Sequence, residues 1–259
     1  MCLLLFSYRI HPDYRLIVAA NRDEFYARPT AALDYWADHA DVLAGRDLKG
    51  RGTWLGVTRS GRLAAITNYR EPDAHIENAP SRGRLTADFL IGNATPQRYI
   101  KAVSKISNAY NGFNLVAGDL AGLYYYSNRA SRLRQLQPGL YGISNHLLDT
   151  PWPKIKKGKA LLQGQLCGRE KIDIEKIWKI LADRTLPADK DLPDTGVGLE
   201  WERILAPLFI SSPDYGTRSS SIILMEYSGR TTFLERTFSN AANAAAQGET
   251  VTYSFKIRN

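Results

Sequence analysis

The chain opens on a nearly unbroken apolar run from Cys2 to Phe6, and a second run, Leu16 to Ala20, follows across His11-Pro12-Asp13. Short apolar runs divided by a turn signal predict a hairpin pairing residues 3–9 with 16–20. A polar stretch then reads as loop to about Arg51. Residues 53–58 and 62–68 flank Arg59-Ser60-Gly61 and predict a second hairpin. Helical spacing marks 85–91 and 97–110, the latter started by Thr95-Pro96 with proline in the first turn. Beyond Asn111-Gly112 the period returns to that of strands, at 113–117, 122–127 and 140–144. Helices are expected at 154–166, 174–182 and 199–208, and strands at 221–227, 231–236 and 250–257. The order is strands, helices, strands, helices, strands, without the regular alternation of a doubly wound parallel sheet. It predicts an α+β fold of mostly antiparallel sheets with segregated helices. No repeat and no linker interrupts it, so residues 1–259 read as one domain.

Composition narrows the class. With 259 residues, 44% of them hydrophobic and 23% charged, the chain is long enough to bury a core without disulfides or metals. No apolar run approaches the roughly 20 residues of a spanning helix. The apolar start lacks a basic region before it and ends at Phe6, too short for a signal peptide, so it reads as a cytoplasmic N-terminus that begins directly with a buried strand. Two cysteines, Cys2 and Cys167, make neither a disulfide framework nor a zinc site and fit a reducing compartment. The net charge of +8 favours anionic ligands. Its basic clusters at 82–84, 129–134 and 154–159 lack the aromatic interleaving of a nucleic-acid binder and read as solvated surface. Phosphate loops, dinucleotide fingerprints, zinc-protease helices and serine-hydrolase elbows are absent, and His11, His39, His75 and His146 are scattered without ligand spacing. No metal and no cofactor is expected.

Cys2 carries the chemistry that remains. An initiator methionine before a small residue is commonly removed. That would leave a thiol and an α-amine on one residue, so that one residue serves as nucleophile and general base. The alternative is a small apolar residue starting a buried strand. Asn21-Arg22-Asp23-Glu24 ends the second strand, which the hairpin brings beside Cys2. There Arg22 can favour the thiolate and Asp23 can hold the amine; an ordinary solvated ion pair is the competing reading. Asn68 and Asn145 end strands, where their amides suit an oxyanion hole but equally suit turns. Arg218, in Gly216-Thr217-Arg218-Ser219, is a second arginine. Arg46 and Asp47 precede Gly50-Arg51-Gly52-Thr53-Trp54, a loop that can line a pocket.

Together these segments resemble a known family. Met1-Cys2-Leu3-Leu4, Ala19-Ala20-Asn21-Arg22-Asp23-Glu24-Phe25, Leu43-Ala44-Gly45-Arg46-Asp47, Gly52-Thr53-Trp54-Leu55-Gly56 and Leu63-Ala64-Ala65-Ile66-Thr67-Asn68-Tyr69 are similar to motifs of the NRDE family, also called the Transport and Golgi organisation 2 family. Its motifs resemble those of N-terminal nucleophile hydrolases of the choloylglycine hydrolase kind. The resemblance implies an αββα sandwich, Cys2 as nucleophile, Arg22 and Asp23 as its support, Asn68 and Asn145 as oxyanion donors, and Arg218 completing the site. Asn21, Arg46, Asp47 and Trp54 are expected to touch a small-molecule substrate. One departure stands out: Arg22 and Asp23 are adjacent here, whereas the hydrolases separate them, and neighbours on a strand point to opposite faces. The implied activity is hydrolysis of a non-peptide C–N amide. Links of eukaryotic members to Golgi organisation and to haem and lipid handling imply an alternative, a non-catalytic binding or trafficking protein for a small anionic amphiphile such as haem or acyl-CoA.

Overall fold

The structure, a computed structural model, describes residues 2–130, 132–166, 171–238 and 247–258. It divides into two compact units, one formed by Met1–Ala27, Pro138–Ser144 and Leu148–Ser254, the other by Arg28–Gln137, Asn145–Leu147 and Phe255–Asn259.

The chain starts with β1 (Cys2–Tyr8) and β2 (Tyr14–Phe25), the hairpin expected from the two apolar runs. Next come β3 (Thr30–Trp36), β4 (His39–Asp47), β5 (Leu55–Thr58), β6 (Leu63–Asn68), α1 (Gly83–Ile91) and α2 (Pro96–Ile106). They are followed by β7 (Phe113–Gly118), β8 (Leu123–Ser127), the two-residue β9 (Arg134–Gln135) and β10 (Gly139–Ile143). The remainder is α3 (Pro153–Leu166), α4 (Ile174–Leu181), α5 (Leu199–Leu205), β11 (Tyr215–Glu226), β12 (Arg230–Phe238) and β13 (Gln247–Lys256). The fold is α+β, built on two antiparallel sheets. Among the described residues no helix is long and apolar enough to cross a membrane.

The first unit holds a six-stranded sheet in the order β10-β1-β2-β11-β12-β13. Every residue of β1 is buried, which is why its sequence runs apolar instead of alternating. Leu3, Leu5, Ile17, Ala19, Ile222 and Leu224 share one face and pack against Ile155 and Leu162 of α3 and Ile177, Trp178 and Leu181 of α4. The second unit holds a seven-stranded meander, β3 to β9 in sequence order. Ala44, Ala64, Ile66 and Leu115 of that sheet pack under Leu85, Phe89 and Leu90 of α1 and Ile100 and Val103 of α2.

Two sequence expectations are corrected. The stretch read as loop up to Arg51 contains β3 and β4. It hid because β3 buries only Leu33 and Trp36 and pairs with β4 through two register shifts, which break the two-residue period. And β11 begins at Tyr215, six residues before the expected strand start at 221. Its polar start is paired with the polar end of β2, Thr217 opposite Asp23 and Ser220 opposite Asn21, so hydrogen bonds replace apolar packing there.

Candidate functional site

In the first unit the hairpin register sets Cys2 directly opposite Arg22, and Leu3 opposite Asn21. Directly opposed residues of antiparallel strands put their side chains on the same face. Cys2 and Arg22 therefore share one face of the sheet, and Asn21 and Asp23 lie on the other, with Leu3, Leu5 and the helices. β2 continues through Phe25, so adjacency separates Arg22 from Asp23 as the strand period requires.

Cys2 is 8% exposed. Burial pushes its thiol up to about 11, and the Asp23 carboxylate works in the same direction. Arg22 and a hydrogen bond from the Asp23 backbone N–H to the sulfur oppose the rise. Asp23 is buried too, and burial holds its carboxyl above the usual range. Against that act Lys154, the hydroxyl of Thr217, which donates to Asp23 Oδ1 at 2.7 Å, and Arg22. Arg22 reaches Glu24 at 3.8 Å. Arg218 sits where the register between β2 and β11 slips, between Thr217 and Ser219, so the bulge makes room for it. Its Nη1 donates to the carbonyls of Phe25 and Tyr26, both at 2.9 Å. Burial and the neighbouring positive charge of Arg22 both lower its pKa, with Glu24 offsetting part of the effect. Gly216 leaves space for the Tyr26 hydroxyl, with which a Cβ at that position would collide.

Asn21 is fully engaged within the fold. Both hydrogens of its amide are spent, on Leu181 O at 2.9 Å and Leu208 O at 2.8 Å, and its oxygen accepts from Ser220 Oγ at 2.6 Å. Leu181 is the last residue of α4, so Asn21 satisfies one of the carbonyls that a helix end leaves open. It holds the sheet to its helix layer.

Sequence reasoning missed several residues here. Lys154, assigned to a solvated basic patch, is only 3% exposed. The signal was its helical spacing, four residues before the buried Gly158 and eight before the buried Leu162. Ser219 lies opposite Arg22 and Thr237, and Ser221 opposite Ala20 and Glu235, so a polar corner extends across the Cys2 face into β12. Ser219, Ser221 and Glu235 are all buried. The run Ser219-Ser220-Ser221 leading into an apolar strand was the available hint. The other basic clusters are engaged: Arg82 donates to Gly112 O, Arg129 pairs with Glu71, Lys157 with Asp183 and Lys159 with Asp149.

In the second unit Asn68 ends β6 and Asn145 is pinned to it. The Asn145 amide donates to Asn68 O at 3.3 Å, and the Arg70 N–H donates to Asn145 O at 2.7 Å. Next along both segments, Tyr69 Oη and His146 Nε2 are 2.7 Å apart, and Asn114 donates to His146 O and to Thr67 Oγ1. Arg46 is clamped by Asp38 and lies over Trp36, while Asp47 binds Arg28 and caps the backbone of Lys49 and Gly50. Trp54 packs partly buried on the core under α1 and α2. Of the three, Asp47 shapes the loop that follows it.

Burial holds His146 below its ordinary range. The unfolded chain takes up this proton near pH ~6.5 and the folded chain only at lower pH, so stability falls as pH drops from ~6.5 through that window. Urea unfolding of wild type and His146→Gln at pH 7 and pH 5 is expected to show a larger acid loss in wild type; parallel losses would remove His146 from the account.

Among the described residues, no cluster of three or more His, Cys, Asp or Glu is arranged to hold a metal ion.

A family model described as Transport and Golgi organisation 2 matches residues 1–240. The chain is 40% identical over 280 residues to the Transport and Golgi organization protein 2 homolog of Bos taurus, with 100% of each chain covered. It is 36% identical over 278 residues to the Homo sapiens homolog, again with 100% of each covered. Among solved structures it is similar to a Caenorhabditis elegans ortholog of N-acylethanolamine-hydrolyzing acid amidase, with TM-score 0.52, 12% identity, and 86% of this chain and 92% of that one covered. It is also similar to a variant of conjugated bile acid hydrolase from Clostridium perfringens, with TM-score 0.53, 11% identity, and coverage of 99% and 98%. At such identities the likeness shows the fold, that of the N-terminal nucleophile hydrolases.

Proposed function

We propose that the chain, which belongs to the Transport and Golgi organisation 2 family, is an amidohydrolase that uses Cys2 as its nucleophile on a small molecule with a non-peptide C–N amide, after removal of Met1 frees the Cys2 α-amine. The observation that carries this reading is the hairpin register, which sets Cys2 across from Arg22 with the Asp23 N–H on its sulfur, in a fold shared with an amidase ortholog and a conjugated bile acid hydrolase.

The freed α-amine, with a reference pKa of about 8, takes the thiol proton. The thiolate then attacks the amide carbon, forming the S–C bond. Collapse breaks the C–N bond while the ammonium returns its proton to the leaving amine. Water, deprotonated by the same α-amine, hydrolyses the thioester and releases the acid. Asp23 holds the amine, and Arg22 and Arg218 favour substrates with an anionic group. Asn68 and Asn145 are proposed as oxyanion donors on the motif resemblance. The reaction belongs in a reducing compartment, where Cys2 stays a thiol.

A second reading, a non-catalytic carrier of a small anionic amphiphile such as haem or an acyl-CoA, is favoured by one observation: in the chain as described the thiol is held protonated. Release of 7-amino-4-methylcoumarin from a series of acyl amides separates the two. Hydrolysis is expected from protein lacking Met1 and is expected to fall at least about 10³-fold in Cys2→Ala, the scale of losing a nucleophile. Turnover that survives in Cys2→Ala, or no turnover from processed protein on any acyl amide that it binds, favours the carrier.

A further inference from the structure

α3 carries four lysines into its first two turns, and three of them are accounted for at the surface. Lys156 is exposed, Lys157 pairs with Asp183 and Lys159 with Asp149. Lys154 is different: it is 3% exposed, on a helix that packs on β1 and β10. Asp23, 1% exposed, faces that same helix side of the sheet with Thr217 and Asn21. A buried ammonium and a buried carboxyl in one layer each lower the cost of keeping the other charged, and neither is tolerated there alone.

We propose that Lys154 is a positioning residue: its buried ammonium holds the Asp23 carboxyl in the ionised form that binds the Cys2 α-amine. This rests on the reading of Cys2 given above. The surroundings of Asp23 support it from each side. Its own strand contributes Arg22, the residue just past that strand's end contributes the Tyr26 phenol, β1 contributes the thiol of Cys2, and β11 contributes the Thr217 hydroxyl. α4 turns Ile174, Ile177, Trp178, Ile180 and Leu181 inward, with Glu175, Lys176 and Lys179 exposed. Lys154 and Arg22 are the cationic side chains that favour the ionised form of Asp23. Arg22 extends from the opposite face and cannot replace it.

The test is the titration of Asp23, followed by the carboxyl ¹³C resonance in full-length protein lacking Met1 and assigned with Asp23→Asn. Lys154→Met is expected to raise the midpoint by about one pH unit or more, and Lys154→Arg to restore it. The acid limb of the pH–rate profile on the coumarin amide should move up by the same amount. If Lys154→Met does not fold, the coupling is read from the other partner: Asp23→Asn should lower the midpoint of the Lys154 ammonium. An unchanged midpoint in either experiment overturns the role of Lys154. A shifted midpoint in a protein that cleaves no amide leaves the coupling standing and overturns the hydrolase reading instead.

Discussion

Iodoacetamide at pH 7 will alkylate Cys2 slowly in protein that keeps Met1, and at least tens of times faster once Met1 is gone. With the thiol at about 11, only about one molecule in 10⁴ carries a thiolate at neutral pH, and the thiolate is the reactive form. The rate should therefore climb about tenfold per pH unit up to that range. Removal of Met1 places an ammonium on the carbon that bears the thiol side chain. Each unit by which the thiol falls raises the thiolate fraction about tenfold while intrinsic nucleophilicity drops about threefold, so a fall of a few units gives a net gain of some tens. Cys167 lies outside the described residues, so the comparison is best made in a Cys167→Ala background. Cys2→Ser should abolish the fast phase and leave the fold intact, since oxygen replaces sulfur at similar size. Equal rates in the processed and unprocessed proteins would mean that the amine does not activate the thiol, and Cys2 would be only a strand residue.

The second large effect concerns stability. Asn21→Ala removes two donors from buried carbonyls and one acceptor from a buried hydroxyl. Each orphaned group costs about 1–3 kcal/mol, so a total loss of about 4 kcal/mol is expected. For a chain of this size, that corresponds to a drop in Tm of about 10 °C. Asn21→Asp should be no better, because a carboxylate cannot donate to Leu181 O or Leu208 O. A substrate-binding Asn21 would behave differently, weakening KM with little change in melting. Calorimetry on the two variants therefore decides between a residue that joins sheet to helix and one that meets a ligand. An unchanged Tm would contradict the hydrogen-bond account.

What the sequence disclosed and what it hid follow from the same cause. β1, β2, β5, β6, both early helices and α3 to α4 were legible because apolar side chains recorded their burial, as short runs in the strands and as a helical spacing in the helices. The start of β11 and the end of β2 were not, because polar side chains bury there by bonding to one another, and Thr217 on Asp23 leaves no hydrophobic trace. The same gap concealed Lys154. A lysine reads as surface unless its position relative to Ile155 and Leu162 on the helix is worked out, and even then its partner lies on a strand 131 residues away. The motif residues around Cys2 were found by resemblance, but their faces were not. Only the register shows that Arg22 shares the thiol's side and Asp23 does not.

The claim that Cys2 is an N-terminal nucleophile is tested most directly by intact-mass spectrometry of purified protein, alone and quenched in acid during turnover of an acyl amide. The expected result is a chain lighter by one methionine. Under turnover it should carry one acyl group, mapped to the N-terminal peptide at Cys2 and lost on treatment with hydroxylamine, as a thioester requires. Amide cleavage by a chain that still carries Met1, or by a processed chain whose acyl group maps elsewhere, would contradict it.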